Sequence, residues 1–184
     1  MMITSPYNTI GPFFPAEFVE GYDDLTQVEG RRAKGQVIEL SGRVLEEGGQ
    51  ATKNTILEIW QADSSGIFRH PLDPRGAHAD PGFAGWGRAK TDAEGRYRFT
   101  TVLPGAYDGR CPHANIMILA IGLTRRLVTT VFFSDAPEQA SDPVLDCVAD
   151  LQARRRLFAV REPAGAYRFD IVLRGENETP FFLD

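Results

Sequence analysis

Short runs of alternating apolar and polar residues, separated by glycine and proline, dominate this chain of 184 residues and constrain its fold more than any other feature. The 18 Gly and 12 Pro are spread along the sequence, and long helical periodicity is almost absent. Alternation places apolar side chains on one face of a strand, so the pattern predicts an all-β domain. The predicted strands lie near residues 36–45, 55–62, 97–101, 115–121, 127–133 and 166–173.

Seven or eight strands of this kind favour a prealbumin-like β-sandwich or partly open barrel. One short helix is expected after Asp142, a good N-cap that Pro143 follows at the first helical position. That helix would place four apolar residues on one face: Val144, Leu145, Val148 and Leu151. Residues 63–86 predict a long loop, and loops of this length in a compact domain are usually functional.

The first 34 residues carry little regular pattern and predict an N-terminal arm and strap, followed by one sandwich domain over residues 35–184. Residues 9–15 cannot form a helix interior or a central strand, because two prolines remove backbone donors. We expect an extended arm whose apolar anchors, Ile10, Phe13 and Phe14, pack on the chain itself or on a neighbouring chain.

Composition excludes several classes of protein. The net charge of −5 argues against a nucleic-acid partner. No run approaches the roughly 18 apolar residues that a membrane span needs, and the first residues do not form a signal peptide, which together predict a cytoplasmic protein. Cys111 and Cys147 follow no framework spacing and are expected to be reduced thiols.

Residues 104–115, with the sequence PGAYDGRCPHAN, resemble a metal site with parts missing. His113 and Asn115 are two residues apart, the spacing that puts side chains on one face of a strand. An amide oxygen is a weak ligand beside an imidazole or a phenolate, so His113 and Tyr107 have a poor third partner. The pattern indicates a metalloenzyme plan in a chain that cannot hold the metal itself. A buried strand histidine and a turn tyrosine are the alternative.

Four local patterns occur together and in order: Trp60-Gln-Ala with Gly66-Ile-Phe68-Arg-His70, Thr91-Asp-Ala-Glu-Gly-Arg-Tyr-Arg-Phe99, Leu103-Pro-Gly-Ala-Tyr107, and Pro112-His-Ala-Asn115. In this combination the chain resembles the intradiol ring-cleaving dioxygenases over residues 5–175. That family holds one non-haem Fe(III) with two Tyr and two His. The resemblance maps the four ligand positions to Phe68, Tyr107, His113 and Asn115, so two ligands are missing, and it maps an arginine that supports ring cleavage to Arg110.

The resemblance therefore implies an iron-free, α-type subunit with vestigial ligand positions. It would have no catalytic residue and no cofactor of its own, and a homologous β subunit would carry the Fe(III). The arm would complete the pocket for a small aromatic substrate and O2 at the α/β interface through Thr9, Gly11, Pro12 and Phe13. An ordinary N-terminal strap is the alternative for these arm residues.

Three further points stay open. Arg125 and Arg126 either solvate a strand or attract an anionic substrate to the pocket. The whole chain could instead be a non-catalytic prealbumin-like binding or assembly module. A self-sufficient dioxygenase with an altered ligand set is a third hypothesis, which Phe68 and Asn115 oppose.

Overall fold

The computed structural model describes residues 14–133 and 140–182, which fold as a sandwich of two β-sheets with a separate two-stranded antiparallel sheet. Eleven strands occur in these ranges: β1 Gln27–Val28, β2 Arg31–Arg32, β3 Val37–Leu45, β4 Ile56–Gln61, β5 Trp86–Lys90, β6 Arg96–Val102, β7 His113–Leu119, β8 Leu127–Phe132, β9 Val160–Arg161, β10 Ala166–Arg168 and β11 Ile171–Val172. The prediction of an all-β sandwich is confirmed, and the predicted strands correspond to β3, β4, β6, β7, β8, β10 and β11.

The first sheet has the order β5-β4-β7-β8 and is antiparallel throughout. In the second sheet, β3 pairs with β6 on one side and with β10 and β11 on the other, and β9 extends the sheet beyond β10. The inward faces of both sheets form one apolar core, to which alternate residues of β3, β6 and β7 contribute. Its largest members include Leu40, Phe99, Ile59, Ile116 and Phe169.

Two strand predictions differ from the structure. The strand predicted over 166–173 is interrupted, because the Asp170 carboxylate accepts the Arg43 N–H at 3.0 Å where a ladder bond would otherwise form. A short strand, β5, begins at Trp86, where the sequence predicted only the end of the 63–86 loop. The loop itself is confirmed: it joins β4 to β5 and contains one 3-10 turn, Gly76–His78.

The prediction of one helix is wrong, because the segment forms two short helices, α1 Pro143–Asp146 and α2 Leu151–Arg155. Asp142 caps α1 as expected, and its side chain accepts the Val144 N–H. Asp150 caps α2 in the same way, so a second helix begins there and α1 does not continue. Leu151 consequently lies 69% exposed instead of joining the buried face of α1.

The arm residues Thr9, Gly11, Pro12 and Phe13 lie outside the described residues, and their predicted role stays a prediction. Among residues 14–133 and 140–182, no helix has the length and apolar character needed to cross a membrane.

Candidate functional site

Asp63, directly after β4, organises the loops that carry two of the four ligand positions. Its buried carboxylate accepts the backbone N–H groups of Ser65 at 2.8 Å and Ile67 at 3.0 Å. Its backbone carbonyl accepts those of Gly66 at 3.0 Å and Gly105 at 2.9 Å. One residue thus ties the start of the long loop to the Pro-Gly turn that precedes Tyr107.

Gly66 allows those two segments to touch. It has φ of +74°, and a Cβ atom there would lie 2.3 Å from the carbonyl oxygen of Ala106. Only glycine tolerates both the backbone conformation and the contact. The close approach sets the Phe68 ring edge-on against the Tyr107 ring, with centroids 4.9 Å apart, while Phe68 stacks on Trp60 at 5.9 Å.

A tight turn returns the chain from Tyr107 towards β7. The Arg110 N–H donates to the Tyr107 carbonyl at 2.7 Å, and both central residues have positive φ, 47° at Asp108 and 74° at Gly109. These values are those of a type I′ turn, for which Asp-Gly is a preferred sequence. The turn brings the Tyr107 hydroxyl to 3.2 Å from the Nε2 atom of His113.

The hydrogen bonds of His113 define its tautomer. Its Nδ1 atom lies 2.7 Å from the carbonyl oxygen of Cys111, which can only accept, so Nδ1 carries the proton. Nε2 is then an acceptor for the Tyr107 hydroxyl. Burial raises the pKa of Tyr107 and lowers the pKa of His113, so that near pH 7 a neutral phenol donates to a neutral imidazole.

Asn115 lies on the same face of β7 as His113, and its Oδ1 atom accepts the Thr130 hydroxyl at 2.9 Å. Its neighbours in register on this outer face are Trp60 on β4 and Thr130 on β8. The amide is therefore bound into the sheet and does not form a ligand pair with the imidazole.

Arg110 makes an ion pair with the buried carboxylate of Asp142. Its Nε atom donates to the Asp142 Oδ2 atom at 2.8 Å, the Cys111 N–H donates to the same oxygen at 2.9 Å, and the Asp142 side chain is 0% exposed. Desolvation alone would raise the pKa of Asp142, but the hydrogen bonds from Arg110, Val144 and Cys111 outweigh it and lower that pKa. Arg110 is thus held by the cap of α1, a partner that the sequence did not reveal because the two residues are 32 positions apart.

A ferric ion does not fit the four ligand positions of this chain. They provide one phenol and one imidazole, which satisfy each other, together with a phenyl ring and a neutral amide. Ferric iron prefers ionised oxygen donors and a complete set of ligands, and neither is present. Within the described residues, no group of three or more His, Cys, Asp or Glu side chains is placed to hold a metal ion.

A cavity of about 420 Å³ adjoins Phe68 and Tyr107 on the side of the long loop. Its rim includes Asp73 and Arg75, which pair at 3.2 Å. The backbone N–H groups of Phe68 and Arg75 lower the pKa of Asp73 to about 2, so this carboxylate is ionised at physiological pH. The cavity therefore combines the rings of Phe68 and Tyr107 with this ion pair, and His70 and Asp108 also line it.

The structure brings together Phe68, Tyr107 and His113, with Asn115 beside them on the outer face of β7. Arg125 and Arg126 are exposed in the β7–β8 turn, at the other end of β7 from His113. Seven strand residues separate those ends by roughly 20 Å. The two arginines are therefore not part of the cluster around His113.

The chain matches the family model described as dioxygenase over residues 9–175. A protocatechuate 3,4-dioxygenase beta chain from Burkholderia cepacia is 40% identical in a match that covers 92% of this chain and 79% of that relative. An alpha chain from Pseudomonas putida is 35% identical, covering 82% and 77%, and an alpha chain from Burkholderia cepacia is 32% identical, covering 97% and 96%. Similarity thus extends to both kinds of subunit.

Solved structures share the fold at lower identity. The dioxygenase domain of a dioxygenase carbohydrate-binding protein fusion from Streptomyces sp. SirexAA-E superposes with a TM-score of 0.61 at 24% identity, covering 92% of this chain and 98% of that one. An intradiol ring-cleavage dioxygenase from Tetranychus urticae gives 0.59 at 20% identity, covering 93% and 94%.

Proposed function

The chain belongs to the intradiol ring-cleaving dioxygenase family, and from that premise we propose that it is the iron-free α subunit of a heteromeric protocatechuate 3,4-dioxygenase. The complex would cleave 3,4-dihydroxybenzoate between its two hydroxyl groups and insert both atoms of O2. The product would be 3-carboxy-cis,cis-muconate, an intermediate of aromatic catabolism in the β-ketoadipate pathway. This chain alone would be inactive.

The hydrogen bond from Tyr107 to His113 carries the proposal. Two side chains that could ligate a metal are paired with each other at 3.2 Å, and the other two ligand positions hold Phe68 and Asn115. The Fe(III) and the chemistry that it supplies would belong to a homologous β subunit with four intact ligands.

The role of this chain is then to complete the substrate pocket at the interface and to exclude water from it. We assign that role to the arm residues Thr9, Gly11, Pro12 and Phe13. A proline-containing extended segment loses little conformational entropy when it docks, and a glycine lets the backbone approach a small ring closely. Holding the substrate against the partner's site contributes to catalysis through orientation.

One observation favours a competing function. The 40% identity to a beta chain is higher than the 35% and 32% identities to alpha chains, as expected if this chain were itself the iron-holding subunit. The two functions differ in where the iron lies, so they can be separated by experiment.

The test begins with the chain purified alone and co-expressed with a homologous chain that carries all four ligands. We expect the single chain to be colourless and inactive, and the heteromer to contain iron, to absorb in the visible range and to consume protocatechuate and O2. A tyrosinate-to-iron absorption band from the single chain would contradict the proposal. If the chain forms no stoichiometric heteromer, that result would instead support the hypothesis of a non-catalytic binding or assembly module.

The variant Tyr107→Phe sharpens the test, since it removes one oxygen and keeps the ring. In the heteromer we expect its iron content and visible spectrum to match those of the wild type, because the iron belongs to the partner. If this chain holds the iron, the variant loses the band. Phe68→Leu serves as the control, because it changes a position with no donor atom in either case.

A further inference from the structure

Residues 22–25, which follow the arm in sequence, are hydrogen-bonded to the edge strands of both sheets. The Arg88 N–H donates to the Tyr22 carbonyl at 2.8 Å, which adds residue 22 to the edge of β5. On the other sheet, Thr100 on β6 exchanges backbone hydrogen bonds with Asp23 and Leu25, both at 2.8 Å. Residues 22–25 therefore have a fixed place, and residues 14–18, which we call the arm root, extend from them towards the arm.

One side chain, Arg88, binds the arm root to the first sheet. Its Nη1 atom donates to the Phe18 carbonyl at 2.7 Å, and its guanidinium carbon lies 3.6 Å from the centroid of the Phe18 ring. The same guanidinium lies 4.8 Å from the Trp86 ring. Phe18 stacks in turn on Phe14, the first described residue, with centroids 5.5 Å apart.

Glu58 holds the guanidinium in place. It is the direct cross-strand neighbour of Arg88, and its Oε1 atom accepts from Nε at 2.9 Å and from Nη2 at 2.5 Å. The side chains are only 15% and 17% exposed, so the pair is partly shielded from solvent. A lysine would keep the positive charge. It lacks the planar set of N–H donors with which Arg88 bonds Glu58 and the Phe18 carbonyl at the same time, and it cannot stack flat on a ring.

We infer that Arg88 is a positioning residue of the complex: it holds the arm root on the first sheet, and through the chain that continues from Phe14 it sets the affinity of the interface pocket for its aromatic substrate. This inference rests on the proposed function. Thr9 is five residues from Phe14 and can lie at most roughly 18 Å from it, so the orientation of the arm root limits where the arm residues reach. In this inference Arg88 acts through the arm root, by its contacts with Phe18 and Glu58.

The first test measures steady-state kinetics of the heteromer with Arg88→Lys and with Phe18→Leu. We expect either variant to raise KM for protocatechuate roughly threefold to tenfold, with kcat and iron content within about twofold of the wild type. Because both remove the same contact, the double variant should raise KM no further than the larger single effect. The control is Arg98→Lys, an exposed arginine on β6 paired with Glu39 at 3.7 Å.

An unchanged KM in Arg88→Lys would overturn the inference. So would a loss of kcat in proportion to a loss of assembled heteromer, or an equal effect of Arg98→Lys, since these would indicate a general structural role.

A second test uses the single chain and no enzyme activity. Cleavage by a glutamyl-specific protease at Glu17 and Glu20, both exposed, should be several-fold faster in Arg88→Lys than in the wild type or in Arg98→Lys, because the arm root detaches more often. Equal cleavage rates would show that Arg88 does not anchor the root. If the wild-type heteromer fails to turn over protocatechuate, the proposed function fails with the kinetic role, and the cleavage rates still decide the anchor.

Discussion

The hydroxyl of Tyr107 lies 3.2 Å from the Nε2 atom of His113, and this one hydrogen bond occupies the two best metal donors of the site. It depends on the type I′ turn at Asp108-Gly109, which folds the tyrosine back over β7, and on the Cys111 carbonyl, which fixes the tautomer of the histidine. The site is therefore satisfied within the chain instead of being left open.

The buried, neutral His113 makes stability depend on pH. Burial lowers its pKa below the ordinary value of 6.5, so the unfolded chain binds a proton at a pH at which the folded chain does not. The free energy of unfolding should therefore fall as pH drops from about 6.5, by at most about 1.4 kcal/mol per pH unit for one proton. Near the ring, the pKa of Tyr107 is raised above its ordinary value and that of Asp142 is lowered, so neither group titrates between about pH 4.5 and 6.5.

Urea unfolding of the wild type and of His113→Gln over that pH range checks this prediction. The variant should be less stable at neutral pH but should show a flatter pH profile. His78→Gln, at an exposed histidine of the long loop, should retain the wild-type slope. A wild-type slope in His113→Gln would show that another group is responsible.

The ion pair between Arg110 and Asp142 should contribute much more to stability than an ordinary helix cap. Asp142→Ala removes the α1 cap and leaves unpaired a guanidinium that is 20% exposed and whose buried Nη2 atom already lacks a hydrogen-bond partner. We expect a loss of about 3 kcal/mol, the lower part of the range for a broken buried pair. Asp150→Ala is the matched control, since Asp150 caps α2 through the Gln152 N–H at an exposed position and should cost about 1 kcal/mol. Equal losses in thermal unfolding would show that the ion pair adds nothing to capping.

The contact at Gly66 can be separated from the strain of its backbone. Gly66→Ala combines a left-handed conformation with a Cβ atom 2.3 Å from the Ala106 oxygen, and should cost about 3 kcal/mol. Gly109→Ala has the same φ of +74° but meets nothing within 4 Å, so it should cost only about 1 kcal/mol. Chemical denaturation measures both, and similar values would mean that the Gly66 contact relaxes freely.

The sequence predicts the long strands well because their buried faces are large and apolar, and it misses β5 because that inward face is small. Gly87 and Ala89 point inward there, since Leu25 fills the space: a Cβ atom on Gly87 would lie 2.6 Å from the Leu25 side chain. No hydrophobic alternation is then visible. The helix prediction failed for another local reason, because Asp150 provides a second cap inside an apolar pattern that continues to Leu151.

The candidate site, too, could be predicted only in part from the sequence. The residue types at positions 68, 107, 113 and 115 are sufficient to predict an incomplete set of ligands, since a phenyl ring has no donor and an amide is a poor one. The contacts that hold the remnant together are not visible in the sequence. Arg110 with Asp142, and Arg88 with Phe18, join residues 32 and 70 positions apart, and only the packing of loops on the sheet brings them together.

The arm prediction can be tested in the heteromer although its residues lie outside those that the structure describes. If the arm completes the substrate pocket as proposed, Thr9→Ala and Pro12→Ala should each raise KM for protocatechuate and leave the iron content unchanged. Pro12→Ala acts through stiffness: a freer arm loses more entropy when it docks, so a severalfold rise is expected. Leu151→Ala, at an exposed side chain at the start of α2, is the control and should leave KM unchanged. Steady-state kinetics and iron analysis on the same preparations test this prediction. Unaltered kinetics in both arm variants would show that the arm is only a structural strap and does not contribute to substrate binding.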